Sequence, residues 1–478
     1  MGWRPSRAET RSGWVVGLIA LAGGLIVPMS MPLTRAPATT HVAAGGATAS
    51  TADTQAVGAQ LAHDLAQPGA DTELAAFYAA RDHRPLWIAD GRMAPEASQL
   101  IRRVRDARSD GLDPADYRAD DLQAAVDAAR SGRPDDLAAA EIALSQTLAS
   151  WGADLHRVRP AADVLYSDPQ FRPPGLTRQA ALDAVAKAPS LKAGLDQVAR
   201  MNPVYTRLRA ALQAQPDGPD APVVRANLER ARALPVDLGA RYILVDIAAQ
   251  RLWMYQDGRP VDSMKVVVGK PSDPTPSMAA LVRYAVFRPY WNVPPDLVAQ
   301  RMAPKVMKQG MGYFRGQHLQ ALNSWNDNAK PMDPSRVNWR AVASGRVTLR
   351  VRQLPGPGNM MGQVKFMFPN QKGVYLHDSP LRAFFSGEER LASAGCVRLE
   401  DAPRLGRWLL GDAVVQQGEQ PGPPETRADL SQPVPVYLAY LTAIGTRDGV
   451  SLRKDIYHRD AALIAQLDRP RGAQFASR

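Results

Sequence analysis

The sequence predicts an α+β protein, with a helical first half and a strand-rich second half. Three observations lead there. Between Glu73 and about Gln213, apolar residues recur at the three- and four-residue spacing of one helix face. From Arg241 the spacing changes to alternation, the period of half-buried strands. Between the two blocks, "QPDGPDAP" (Gln215–Pro222) gathers Pro, Gly and Asp and breaks both patterns.

At the N-terminus, Arg4, Arg7 and Arg11 precede an uncharged apolar run from Trp14 to about Met29. A basic start, an apolar run and then small residues such as "HVAAGGATAS" make an export signal. The run also suits a spanning helix of ~17–25 residues, so residues 1–33 read as a signal peptide or an uncleaved membrane anchor. Residues 34–70, rich in Ala, Thr and Gly with little apolar periodicity, are expected to be a flexible tether.

Residues 71–235 are expected to form a helical domain. "TELAAFYAARDHRPLW" places Leu74, Phe77 and Tyr78 on one face, and "EASQLIRRVRDA" does the same for Leu100, Ile101 and Val104. In "SDGLDPADY", Asp113 and Pro114 stand where a cap and a first helical residue belong. "DDLAAAEIALSQTLASWGADL" and "VVRANLERARAL" supply two further helices.

The strand-rich domain is expected over residues 241–418. "RYILVDI" is followed by "RLWMYQDGRPVDSMKVVVG", a hairpin turning on Asp257-Gly258. "RVTLRVR", "VKFMF", "GVYLHD" and "PVPVYLAYLTA" continue the alternation. Beyond the "GEQPGPPE" break, residues 425–468 are expected to add a strand pair and a short helix that complete the helical domain. One stretch fits neither period. Residues 292–345 carry Met302, Met307, Met311, Tyr313, Trp325 and Trp339 without sustained alternation, and a long insertion of this kind reads as a lid.

The net charge of +11 would draw the protein toward anionic polymers or headgroups, but no basic tract is interleaved with aromatics, which argues against nucleic acid. The chain has a single cysteine, Cys396, so no internal disulfide forms. A lone thiol in an exported protein is a liability unless it is buried and inert or does chemistry. The chemical reading needs a nearby base, and His377 in "VYLHDSP" is the candidate. Alternation would bury Val374 and Leu376 and turn Tyr375 and His377 together into a cleft. Gly395 permits a tight turn whose N–H groups could serve an oxyanion. Arg398 is placed to lower the thiol pKa or to pair with a carboxylate. Asp401 reads as the cap of a helix "APRLGRWLL" that ends at Gly411 and would start just after Cys396. The other histidines (His41, His63, His83, His156, His318 and His458) show no metal-ligand spacing, so neither metal nor cofactor is expected.

"VYLHDSPLRAFFSGEERLASAGCVRLED" resembles the active-site segment of peptidoglycan L,D-transpeptidases with a YkuD-type catalytic domain, whose pattern is a histidine, a spacer and Ser-x-Gly-Cys-(Val/Ile)-Arg. Ser393, Gly395, Cys396, Val397 and Arg398 match it. "VVVGKPSDPTP", "FRPYWNVP", "PGPGNMMGQVKFMFPN" and "PVPVYLAYLTA" resemble the large Gram-negative branch, and "FYAARDHRPLW" and "DGLDPADY" resemble its helical scaffold domain. The likeness covers roughly residues 70–465. It implies Cys396 as nucleophile and His377 as base, with Gly395, Tyr375 and Ser393 lining the site. Arg398 would support the loop or bind a substrate carboxylate, and Asn359 and Trp291, within the matched segments, would contact substrate. Two departures stand out. Ala394 occupies the place where many members carry a second histidine, and "LRAALQAQPDGPDAPVVRANLERARALP" leaves no room for the wall-binding repeat that large members insert.

What the resemblance implies is transfer between peptidoglycan tetrapeptide stems in the periplasm, through a cysteine thioester with loss of D-alanine. It also implies carbapenem-type β-lactams as inhibitors. The rival readings are a hydrolytic wall peptidase or lipoprotein–wall link cleaving enzyme of the same fold, and a catalytically silent wall-binding scaffold. The acceptor, whether stem, lipoprotein lysine or free D-amino acid, is open.

Overall fold

Helix-forming sequence comes first and packs around one core. The computed structural model describes residues 46–159, 162–326 and 328–468, and the expected export segment lies outside them. Part of the expected tether does not behave as one, because Gly46–Leu65 forms helix α1. Val57, Leu61 and Leu65 recur every fourth residue along it and are buried. Alanine supplies helix propensity without adding an apolar signal, which is why the sequence looked featureless there.

Helices α2 (Thr72–Ala79), α3 (Ala97–Arg105), α4 (Ala119–Ala128) and α5 (Pro134–Leu155) follow, with a short hairpin of β1 (Ile88–Ala89) and β2 (Arg92–Met93). Leu74, Phe77, Tyr78, Leu100, Ile101 and Val104 are buried, as their spacing requires. Asp71 caps α2 by accepting from the N–H groups of Glu73 and Leu74, and Asp113 accepts from Ala115 ahead of a short 3-10 turn. Glu141 in the middle of α5 is fully buried and accepts from Tyr78 Oη (2.5 Å) and from the backbone N–H groups of Leu86 and Trp87. These bonds fold the segment after α2 back onto α5. The strand β3 (Leu165–Tyr166) and helices α6 (Arg178–Ala186), α7 (Leu191–Val198), α8 (Pro203–Ala214) and α9 (Ala221–Arg232) complete the helical domain.

The second half is built on β4 (Arg241–Asp246), β5 (Arg251–Gln256), β6 (Arg259–Gly269) and β7 (Met278–Phe287). The turn between β5 and β6 places Asp257 and Gly258 at φ +50° and +74°, the conformation a two-residue hairpin demands. Later come β12 (Val364–Met367), β13 (Leu376–His377), β14 (Leu391–Ser393), β15 (Val397–Leu399), helices α14 (Ala402–Leu410) and α15 (Asp412–Glu419), and β16 (Thr426–Ala439). They form a ten-stranded sheet in the order β12-β13-β15-β6-β5-β4-β16-β7-β3, with β14 on β6. Strand β12 also pairs with β7, which rolls the sheet into a ring.

Two expectations are corrected here. Strand β16 lies between β4 and β7, so the segment after residue 425 is central to the catalytic sheet and the domain does not close at 418. The hairpin of β17 (Ala443–Thr446) and β18 (Gly449–Leu452) and helix α16 (Asp460–Leu467) pack on the helical domain, against α8 and α9. In return, β3 of the helical half pairs in parallel with β7, Leu165 opposite Met278.

The insertion is a small folded unit with a core of its own. It runs through β8 (Trp291–Val293), α10 (Pro295–Leu297), α11 (Ala303–Gln309), α12 (Met311–Gly316), β9 (Leu319–Leu322), β10 (Pro331–Met332), α13 (Trp339–Ala343) and β11 (Arg350–Gln353). Its strands form a separate four-stranded sheet, β10-β9-β11-β8, and Val298, Val306, Phe314, Trp339 and Val351 fill the space against the helices. Strands of two to four residues are too short to show alternation, which explains the missing pattern.

Candidate active site

The site follows from strand register. Strands β13 and β15 run in parallel with Leu376 opposite Val397 and His377 opposite Arg398, and β12 places Lys365 opposite His377. Leu376 and Val397 point into the core and are wholly buried. By alternation the other face carries Arg398, His377 and Lys365 in one row, with Tyr375 and Cys396 one step along. His377, expected to point into a cleft together with Tyr375, is covered by its neighbours at 3% exposure. Tyr375 and Cys396 are half-buried.

His377 donates its Nδ1–H to the backbone carbonyl of Asp378 at 2.6 Å. A carbonyl only accepts, so the bond fixes the tautomer that leaves the lone pair on Nε2. Burial first, then the cations Arg398 and Lys365, push the imidazole pKa down to about 4, against the opposing pull of the Asp378 carbonyl. Burial also pushes the Cys396 thiol up, opposed by the Tyr375 backbone N–H and the Arg398 charge. At neutral pH the resting groups are therefore a neutral thiol and a neutral imidazole. The contacts of Cys396 Sγ are the Tyr375 N–H and the Gly373 carbonyl at 3.7 Å, and no hydrogen bond joins it to His377 among the described residues.

The turn that presents Cys396 is tied at several points. Gly395 sits at φ +105°, which disfavours any side chain there. Ser393 Oγ donates to the Cys396 carbonyl at 2.5 Å and accepts from the Gly395 N–H at 3.2 Å. Thr275 Oγ donates to the Gly395 carbonyl at 2.9 Å and accepts from the Gly269 N–H at 2.9 Å. Tyr457 Oη donates to the Gly269 carbonyl at 2.7 Å and accepts from the Thr275 N–H at 3.2 Å. A Cβ on Gly269 would lie 2.2 Å from the Asp273 carbonyl, so only glycine lets this support approach.

These contacts revise several expectations. The hydroxyl of Ser393 is spent holding the turn, and the N–H of Gly395 is already given to Ser393. Asn359 is buried at 1% exposure, and its Nδ2 donates to the carbonyls of Pro289 (3.1 Å), Gln353 (3.3 Å) and Leu354 (2.9 Å). It cross-ties the base of the insertion, leaving its amide committed to backbone. Trp291 packs at the edge of the insertion core and pairs with Gln353. Arg398 stacks its guanidinium 5.6 Å from the Phe384 ring centre, and its buried Nε has no hydrogen-bond partner among the described residues. Asp401 does cap α14, accepting from Arg404 N at 3.0 Å, but β15 intervenes, so the helix does not begin next to Cys396.

Sequence reasoning missed Thr275, Tyr457 and Lys365. Lys365 is nearly buried, its Nζ lies 3.3 Å from both carboxylate oxygens of Glu425, and Glu425 also accepts from the Tyr290 N–H. None of these carries a local signal, because each acts on a residue far away in the chain. No group of His, Cys, Asp or Glu side chains able to hold a metal forms among the described residues, and none of their helices is long and apolar enough to cross a membrane.

A groove of about 790 Å³ adjoins the turn, lined by Ala394 and Gly395, by Lys372 and Val374, by Pro274, Pro276 and Ser277, and by Arg159, Asp163 and Leu165 of the helical domain.

Comparison with known proteins supplies the family. Residues 72–212 match the scaffold domain and residues 240–429 match the L,D-transpeptidase catalytic domain of the YkuD type. A Haemophilus influenzae protein provisionally named an L,D-transpeptidase is 28% identical over 399 residues, covering 81% of this chain and 78% of its own. Among solved structures, an L,D-transpeptidase from Mycobacterium smegmatis is 14% identical, with 42% of this chain and 58% of that one covered at a TM-score of 0.21. The Ldtfm–avibactam carbamoyl enzyme is 16% identical, with 43% and 51% covered at a TM-score of 0.20. Both scores are too low to establish a shared overall architecture.

Proposed function

The chain belongs to the L,D-transpeptidases with a YkuD-type catalytic domain and a scaffold domain, and from that premise we propose that it cross-links peptidoglycan stems through a thioester on Cys396. The supporting observation is the tied turn that sets Cys396 beside the Tyr375 N–H and Arg398, on the sheet face that also carries a neutral His377.

In the first step the Cys396 thiol gives its proton to His377 Nε2 as the sulfur attacks the carbonyl of the diamino acid in a tetrapeptide stem. The C–N bond to the terminal D-alanine breaks, its nitrogen takes the proton back from His377, and the thioester remains. An amine of a second stem then attacks, gives a proton to His377, and the returning thiolate recovers that proton. Thiol and imidazole are both neutral at rest, so proton transfer accompanies C–S bond formation. The oxyanion falls to the backbone N–H of Cys396, since that of Gly395 is already used. Arg398 neutralises charge next to the sulfur, and the insertion keeps water from the thioester.

The basic and apolar run at residues 4–29 supports a periplasmic setting for this chemistry, with the protein either free or held at the membrane by an uncleaved anchor. A carbapenem would acylate the same thiol.

The test is to incubate the protein with disaccharide-tetrapeptide and read the products by mass spectrometry. A cross-linked dimer lacking one D-alanine supports transfer. Tripeptide alone would make the enzyme a hydrolase, and unchanged substrate would refute the reading.

A further inference from the structure

The positive charge of the chain is concentrated in the insertion. From β8 to β11, residues 291–353 hold ten Lys and Arg against three Asp and no Glu, a net +7 in 63 residues. The whole chain carries +11, so the other 415 residues share a net +4. A field so localised belongs to one surface and acts on whatever faces it.

Packing decides where these cations point. Ala303 and Val306 of α11 are buried, as are Trp339, Ala341 and Val342 of α13, and the two helices pack together over the small sheet. Left on their outer side are Lys305, Met307 and Lys308 of α11 and Arg340 of α13, all exposed. The chain after α13 turns back along it, the Val347 N–H donating to the Ala341 carbonyl at 3.2 Å, and adds the exposed Arg346 and Val347. Lys305 lies 5.6 Å from the Tyr313 ring centre, and Arg346 donates to Ser344 Oγ at 3.0 Å. None of these four cations meets a carboxylate among the described residues. Met307 at 50% and Val347 at 45% exposure stand beside them.

We propose that this outer face of the insertion docks on a bilayer surface that carries anionic lipid. The negative potential of such a surface attracts each nearby Lys or Arg. Apolar side chains among the cations gain by entering the boundary between headgroups and acyl chains. That second term selects lipid. A hydrated anionic polymer would satisfy the four cations and leave Met307 and Val347 in water. The apolar run expected to be a signal or an anchor, Trp14 to about Met29, would bring the chain to the same surface. The inference concerns where the insertion sits, and it stands apart from the chemistry proposed for Cys396.

The experiment mixes the full chain with vesicles of phosphatidylcholine alone or of phosphatidylcholine with phosphatidylglycerol. Lysines are then acetylated briefly by an N-hydroxysuccinimide ester, and peptide mass spectrometry reads each site. Acetylation of Lys305 and Lys308 should slow by about fivefold or more on the anionic vesicles and stay unchanged on the neutral ones. Lys187, exposed on the helical domain, should react alike on both. An anchor at the N-terminus would seat the chain on either vesicle, so it cannot produce this difference. Arg340→Glu together with Arg346→Glu should abolish the protection, and so should sodium chloride at about 0.5 M, which screens the attraction. Equal acetylation of Lys305 and Lys308 on the two vesicle types would overturn the proposal in wild type, whatever the variant does. Protection by isolated peptidoglycan but not by anionic vesicles would overturn it in favour of the wall.

Discussion

Replacing Thr275 by valine tests whether the support beneath the nucleophile matters, because the two side chains have nearly the same shape. Thr275 is fully buried, and its hydroxyl serves both the Gly395 carbonyl and the Gly269 N–H, each at 2.9 Å. Valine leaves one buried acceptor and one buried donor unpaired, at ~1–3 kcal/mol each. Some relaxation of the turn toward the groove brings the expected loss to about 2–4 kcal/mol of folding stability. The functional loss should be proportionally larger. Gly395 is held at φ +105°, and releasing its carbonyl lets the adjacent Cys396 shift away from the Tyr375 N–H. A displacement of ~1 Å in a reacting group can cost ~100-fold in rate. Urea unfolding would read the stability, and intact-protein mass spectrometry after timed carbapenem exposure would read acylation of Cys396. Thr275→Ser restores the hydroxyl and should recover most of both. Wild-type acylation in a destabilised Thr275→Val protein would refute the idea that this bond positions the sulfur.

Other substitutions probe the remaining parts of the site. Cys396→Ala should abolish cross-linking with the fold intact, and Cys396→Ser should take up no carbapenem at the wild-type rate; persistent labelling would place the reactive group elsewhere. His377→Ala should slow both adduct formation and turnover, by leaving the thiol proton without an acceptor. His377 titrates near 4 in the folded protein against 6.5 for a free imidazole, so protonation favours the unfolded chain as pH falls below 6.5. That removes about 3 kcal/mol of stability by pH 4, so His377→Gln should lose correspondingly less stability between pH 7 and 4; parallel curves for the two proteins would contradict the burial of a neutral imidazole. Phe314→Ala hollows the separate core of the insertion at a cost of ~3–5 kcal/mol and should raise the share of hydrolysed product while the main sheet still melts as before. An unchanged share would argue against the insertion as a barrier to water.

The sequence by itself determined those features whose cause is local. Helix faces such as Leu74, Phe77 and Tyr78 follow from a 3.6-residue period, and the Asp257-Gly258 hairpin follows from backbone angles that few residues adopt. Cys396 and His377 stood out as the single thiol and a histidine on a nearby strand, and alternation paired His377 with Tyr375 on one face; the β13–β15 register is what puts Cys396 on that same face. Tertiary structure decided everything that depends on which partner a segment meets. Alanine-rich α1 gives too weak an apolar period to be told from a tether, and the alternation of β16 does not say which strands it meets, so its place between β4 and β7 is decided by the fold. The family resemblance implies Ser393 as a residue lining the site and Asn359 as a substrate contact. In three dimensions their polar atoms are consumed by nearby backbone, because a sharp turn and a cross-tied insertion leave carbonyls and N–H groups that must be paired. Thr275, Tyr457 and Lys365 act across gaps of 120, 188 and 60 residues. Bonds of that kind leave no trace in a local pattern, since only the closing of the ring brings their partners within reach.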